Sequence, residues 1–359
     1  MAIPNLTFLV EDSDSKGRQN SWPDESESFD QVLSKFYYNC SHGLRGPMAS
    51  IEGLGHLIET ETGGHLTYPK LMNNAIEEMK TITSGFKNYY SSVGSSSGNK
   101  HDQLSEATFG AQLLDQLVYT CTDGLKKPVH SIKQLIGEAQ SNAKSVLEEK
   151  YLDMANKSLK KIENFSADVE IFAMNEKERV HKEKIDLKTL VNTILTDMDC
   201  DCSPNFSLSI DQPRHLVTDK ERLKIILQKL ILNAICFRFP QDKAQISISV
   251  AVSTLGLQVK VKDNGIGINK QHLDKIFNMF WRASNVSSGC GLGLYVANKI
   301  TDRMYGSIQV KSQPGQGSEF TVELPNYHYF DSLKGLKKIQ SRTIADAFGY
   351  DHQLWHKLG

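Results

Sequence analysis

From Phe29 to about Tyr90, apolar residues return at helical spacing, with Ile51, Leu54 and Ile58 in the first half and Ile76, Met79, Ile82 and Phe86 in the second. The pattern predicts a helical hairpin. Its turn falls at Thr62-Gly63-Gly64-His65, where paired glycines supply the backbone freedom that ends a helix. The small polar stretch Ser91-Ser92-Val93-Gly94-Ser95-Ser96-Ser97-Gly98-Asn99 neither packs nor holds a helix, and a second helical hairpin follows it to about Lys182. After Ile185 the period changes. Gln245 to Val252, Leu257 to Val261, Ser307 to Val310 and Glu319 to Leu324 read as strands, and Ile225 to Ile235 as a helix, so an α/β unit closes near Pro325.

These patterns divide the chain into six segments. Residues 1–26 mix Asp, Glu, Ser, Gly and Pro with few large apolar groups and are expected to be mobile, because burial cannot repay their ordering. Residues 27–93 form the first hairpin, 94–106 a flexible linker, 107–180 the second hairpin and 181–325 the α/β domain. In the tail, 326–359, Leu333, Leu336, Ile339, Ile344 and Phe348 at partly helical spacing predict an ordered auxiliary extension.

The two hairpins read as copies of one another. Cys40-Ser41-His42-Gly43-Leu44-Arg45-Gly46-Pro47-Met48-Ala49-Ser50-Ile51 lies over Cys121-Thr122-Asp123-Gly124-Leu125-Lys126-Lys127-Pro128-Val129-His130-Ser131-Ile132. Cys, Gly, Leu, Pro, Ser and Ile recur at one offset, 123 − 42 = 81, and Ser41/Thr122 and Arg45/Lys126 are conservative pairs. The copy carries Asp123 where the first hairpin carries His42.

Charge removes two classes of partner. Lys and Arg total 41 against 42 Asp and Glu, so no global basic surface exists to hold nucleic acid or an anionic membrane. No run reaches the roughly 18 consecutive apolar residues of a spanning helix, and Met1-Ala2-Ile3-Pro4-Asn5 lacks the basic start and apolar stretch of a signal peptide, which predicts a cytoplasmic protein. The six cysteines include one close pair, Cys200-Asp201-Cys202, with no second pair to complete a zinc site, so all are expected as free thiols.

Chemistry concentrates in the α/β domain. In Val261-Lys262-Asp263-Asn264-Gly265-Ile266-Gly267-Ile268 a strand ends in a carboxylate that can accept from an exocyclic amine, and two glycines let backbone approach a planar ligand. Around it stand Asn233 upstream, Ile276-Phe277-Asn278-Met279-Phe280-Trp281-Arg282, then Gly289-Cys290-Gly291-Leu292-Gly293-Leu294, then Gly315-Gln316-Gly317-Ser318. In order and spacing these resemble the N, G1, F, G2 and later glycine boxes of the histidine-kinase ATP-binding domain, a fold shared with gyrase, Hsp90 and MutL-type ATPases, over roughly residues 184 to 325. Ser41-His42-Gly43-Leu44-Arg45-Gly46-Pro47 resembles the phosphoacceptor box of the same family, the bacterial two-component sensor histidine kinases.

The resemblance implies a multidomain fold: all-α hairpins in a four-helix bundle, then an α/β sandwich that binds ATP. Asp263 would read the adenine amine and Gly265 and Gly267 would shape the pocket floor. Gly289, Gly291 and Gly293, with Leu292 and Leu294, would form the phosphate lid. Asn233 would hold Mg²⁺ through its amide oxygen, and Arg282 would neutralise charge at the γ-phosphate or contact the hairpin. His42 would accept phosphate and pass it to an aspartate on the receiver domain of a response regulator, with signals arriving from a separate upstream sensor protein. Three positions depart from the family: Gly43 replaces the acid that follows the histidine, Lys229 replaces the Asn four residues before Asn233, and Gly46 replaces the Thr or Asn that orients a hydrolytic water. The family builds its bundle from two chains, whereas this chain supplies both hairpins. A monomeric pseudo-dimer is therefore expected, with a homodimer as the alternative. The rival functions are a phosphotransfer protein that takes phosphate from another kinase and an ATP-gated interaction module.

Overall fold

A computed structural model describes residues 29–94, 115, 118–143, 145–198, 204–239, 244–282 and 291–328, with backbone alone over 29–42 and 86–94. The N-terminal segment, most of the linker and the tail beyond His328 lie outside the described residues.

Four helices come first: α1 (Phe29–Glu61), α2 (Tyr68–Gly94), α3 (Leu125–Asn142) and α4 (Val146–Lys177). Residues 91–94 continue α2, so helix runs past the predicted boundary into the first serines of the linker. Gly63 and Gly64 make the predicted turn at φ +65° and +75°, and the Gly64 amide donates to the Glu59 carbonyl at 2.8 Å to close the end of α1. Helix α4 starts on Ser145, whose hydroxyl accepts from the Glu148 amide at 3.0 Å. Helix α1 packs on α2 and α4, and α3 packs on the same two, which closes a four-helix bundle. Its centre is Leu44, Met48, Ile51, Leu54, Met72, Ile76, Met79, Leu125, Ile132, Ile136, Leu159, Ile162 and Phe165, all buried.

Buried positions of the two hairpins correspond at fixed offsets. At the offset of 81, buried Leu44, Ile51 and Ile58 meet buried Leu125, Ile132 and Ala139. Between α2 and α4 the offset is 83: Met72, Ile76 and Met79 stand where Ala155, Leu159 and Ile162 stand, again all buried. Charges repeat with their signs exchanged. Lys80 reaches Glu52 at 2.8 Å and Glu77 at 2.7 Å, and Glu163 reaches Lys133 at 2.9 Å and Lys160 at 3.8 Å. The positions correspond (133 − 52 = 81; 163 − 80 = 83; 160 − 77 = 83). Half-exposed pairs of this kind are worth about 0–1 kcal/mol each, whereas each buried Leu or Ile contributes about 1.5–3 kcal/mol, so the apolar register holds the bundle.

The two hairpins differ around residues 39–43 and their counterparts 120–124. Helix α1 runs as α-helix through residues 39–43, but Thr120–Gly124 forms a single π-helical turn ahead of α3. The Ser166 hydroxyl donates to the Cys121 carbonyl at 2.7 Å inside that turn. Pro47 and Pro128 sit within α1 and α3, each removing the amide that would donate to Gly43 or Gly124 four residues earlier.

The α/β domain comprises β1 (Glu183–Ile185), α5 (Leu187–Asp197), β2 (Asn205–Asp211), β3 (Leu216–Thr218), α6 (Lys220–Cys236), β4 (Gln245–Val252), β5 (Gly256–Asp263), α7 (Gly293–Arg303), β6 (Ser307–Ser312) and β7 (Ser318–Pro325). Five strands form a mixed sheet in the order β2-β4-β5-β7-β6, parallel only between β2 and β4, and β1 pairs with β3 apart from it. Strict alternation along β4 sends Ile246, Ile248, Val250 and Val252 into one face, against Leu190, Leu223, Leu227, Leu230, Val296 and Ile300 of the helical layer. Just past β7, buried Asn326 accepts from the Val217 amide at 3.1 Å and donates to the His215 carbonyl at 2.8 Å, tying the end of the sheet to β3.

Arg222 joins the domain to the bundle. Its guanidinium donates to the Glu178 carbonyl at 2.9 Å, the Arg179 carbonyl at 3.2 Å, the Asn175 side-chain oxygen at 3.1 Å and Asp219 at 2.6 Å. A buried cation is tolerated here because each face of the fork meets an oxygen.

Candidate functional site

Asp263 ends β5, and its Oδ1 accepts from the Gly265 amide at 2.8 Å and the Ser318 amide at 3.1 Å. Those two bonds fix the carboxylate plane and leave Oδ2 as the oxygen that can accept from a ligand amine. Gly265 and Gly267 follow in a turn pressed between two backbones. A Cβ on Gly265 would overlap the Phe237 carbonyl oxygen, and one on Gly267, at φ +69°, would overlap the Gln313 carbonyl oxygen. Gly317, at φ +83°, is in the same position against the Asp263 carbonyl. Bonds run with the contacts: Ile266 N to Phe237 O at 2.9 Å and Gly315 N to Ile266 O at 2.8 Å. The three glycines thus bring the end of α6, the β5 end and the β6–β7 turn together around one carboxylate.

Burial pushes the Asp263 carboxyl above the ordinary aspartate range, against the two amides that favour its ionised form. The folded protein therefore takes up this proton more readily than the unfolded chain. Ionisation costs stability above the shifted value, and that cost disappears as pH falls through it. Asp263→Asn cannot ionise, and is expected to melt at a higher temperature than wild type at neutral pH, the gap closing on acidification. A lower melting temperature for the Asn variant at neutral pH would contradict this.

Half-buried Asn233 lies on α6, one turn before Phe237, whose amide donates to its carbonyl at 3.1 Å. One turn earlier, Lys229 forms an ion pair with buried Asp168 of α4. Asp168 was not foreseen, although a lysine on the same face as Ile226 and Leu230 signals a carboxylate partner. Burial raises the Asp168 carboxyl and the Lys229 ammonium pulls it back down.

Residues 277–282 and 291–294 reach both halves of the molecule. Gly291, at φ +77°, accepts from the Phe280 amide at 3.0 Å, and Phe280 itself sits at φ +62°, a left-handed conformation costly for an aromatic residue. The Phe280 ring packs 6.3 Å from the Phe165 ring of α4, and a Cβ on Gly43 of α1 would lie 3.6 Å from Phe165 and 3.8 Å from Phe280. Leu292 is buried in the bundle core and Leu294 packs on the α/β core, so what these two can offer a ligand is backbone. Helix α7 begins at Gly293 with no side-chain cap on its first amides. Arg282 is exposed at the edge of the described residues, and Gly289 lies outside them. His42 lies on α1 next to Gly43, with its side chain outside the description.

Residues 218–328 match the family of histidine kinase-, DNA gyrase B- and HSP90-like ATPases. The C-terminal domain belongs to this ATPase family. The chain is similar to known sensor kinases: 34% identity over 126 residues to the aerobic respiration control sensor protein ArcB of Escherichia coli K12, covering 33% of this chain and 16% of that protein. The sensor histidine kinase ZraS of the same organism is 35% identical over 146 residues, covering 39% of this chain and 30% of ZraS. The chain thus spans under a third of the length of these relatives. Among solved structures, Acinetobacter baumannii histidine kinase AdeS has a TM-score of 0.42 at 22% identity, over 57% of this chain and 98% of that one. The catalytic domain of histidine kinase ThkA has a TM-score of 0.36 at 24% identity, over 41% and 98%. Asp263, Gly265, Gly267, Gly291 and Gly293 all fall inside the matched range, and no described helix is long and apolar enough to cross a membrane.

Proposed function

We propose that the protein is an ATP-dependent protein-histidine kinase that phosphorylates His42 and passes the phosphate to an aspartate of a response-regulator receiver domain. The observation that carries the reading is Phe280 of the ATPase domain lying against Gly43, the residue beside His42. The domain is joined to α4, yet it rests against the helix that bears the histidine.

In this reading Asp263 Oδ2 accepts from the adenine amine, and the amides at the start of α7 face the phosphates. The donor set suits a nucleotide, because the glycine clasp leaves a carboxylate edge beside backbone. The Asn233 amide oxygen is a hard ligand of the kind Mg²⁺ takes, and Mg²⁺ when bound would neutralise phosphate charge. An imidazole nitrogen of His42 attacks the γ-phosphorus, the N–P bond forms and the bond to the ADP oxygen breaks. The displaced imidazole proton goes to solvent, since Gly43 offers no carboxylate.

The bundle in this reading is a pseudo-dimer within one chain. Two matched apolar registers and the sign-exchanged charge triads support it, with His42 as acceptor and Asp123, exposed and paired with Lys126 at 2.7 Å, at the silent position. The test is incubation of the full chain with γ-labelled ATP and Mg²⁺. Acid-labile, alkali-stable label is expected; nucleotide binding without label would sink the kinase reading and leave the gated module.

A further inference from the structure

Lys229 of α6 and Asp168 of α4 form an ion pair between the ATPase domain and the bundle, and both are largely out of solvent, with side chains 18% and 9% exposed. The lysine also touches the nucleotide side. Its Cδ lies 3.7 Å from where a Gly293 Cβ would be, so the side chain runs past the uncapped start of α7 on its way to the bundle. Asn233 follows on the same face of α6, one turn on. The ammonium is therefore placed between a buried carboxylate on one side and, on the other, helix amides that favour anions.

We infer that Lys229 is a positioning residue shared between two anions: Asp168 when the γ-phosphate site is empty, and the terminal phosphate when ATP is bound. This rests on the ATP-binding reading of the site. A lysine stem is long and rotates freely, so its charge can change partner without movement of α6. The exchange is selective because ADP lacks the phosphate that competes. Engaging Lys229 also removes a contact between the ATPase domain and α4, so ATP weakens the seat on the bundle and the seat weakens ATP binding by the same factor.

The experiment is calorimetric titration of the full chain with ATP and with ADP, for wild type, Asp168→Asn, Lys229→Met and the double variant. In Asp168→Asn the lysine keeps its charge and loses its carboxylate, so ATP is expected to bind about tenfold tighter with ADP little changed. Lys229→Met is expected to bind ATP about tenfold more weakly than wild type, again with ADP little changed. In the Lys229→Met background, Asp168→Asn is expected to add nothing. An ATP-to-ADP preference unmoved by Asp168→Asn overturns the inference, as does the same gain with and without the lysine. If wild type binds neither nucleotide, the ATP reading itself fails.

Discussion

Alanine in place of His42 is expected to remove all acid-labile phosphate from the protein, and adding histidine at Asp123 to that variant is expected not to restore it. The reason is where the single ATPase domain sits. The bundle repeats closely around the two glycines: Gly43 faces Phe165 and Gly124 faces Ile82, residues that correspond at the offset of 83. Only Gly43 also meets Phe280. The ring is held there by its left-handed backbone, by its bond to Gly291 and by Leu292, which enters the bundle core immediately before α7 starts. A histidine at position 123 would occupy the equivalent face without a nucleotide site over it. Label measured after γ-labelled ATP, with acid and alkali washes, separates the outcomes. Label on the His42→Ala, Asp123→His protein would show that the ATPase domain swings to either face, against the seated arrangement.

Gly267→Ala is expected to cost roughly 3 kcal/mol or more in stability of the ATPase domain and to abolish nucleotide binding with it. Two effects combine. The residue sits at φ +69°, where a Cβ costs about 1–2 kcal/mol, and that Cβ overlaps the Gln313 carbonyl oxygen, which is backbone and cannot rotate away. Gly315→Ala supplies the comparison. Its φ is +77° but nothing lies within 4 Å of an added Cβ, so only the conformational cost, about 1–2 kcal/mol, should appear. Denaturant unfolding of the two variants measures the difference. Equal losses would mean that the turn moves as a unit and that the clasp around Asp263 is softer than its contacts imply.

The α/β half was readable from sequence because its signals are local: alternation wrote β4 and β5, and glycine spacing wrote the turn after Asp263. Strand β2 was missed although Phe206, Leu208 and Ile210 alternate with polar residues; it is an edge strand whose side chains are mostly exposed. The helices of the bundle were readable because apolar residues recur at helical spacing along them. What could not be read was contact between the halves. Gly43 looked like the loss of an acid, but the space it leaves adjoins Phe165 and Phe280. Lys229 looked like the loss of a metal ligand, and its partner lies 61 residues away on another element. Both meanings depend on which surfaces meet, and helical period carries no record of that.

A kinase assembled from two identical chains comes apart on dilution, exchanges subunits, and can be poisoned when one defective copy pairs with a sound one. In the proposed pseudo-dimer the four-helix bundle is closed by covalent connection between its own hairpins, so its integrity would not follow mass action. Output from such a protein would scale in direct proportion to the number of molecules, and a damaged copy would silence only itself.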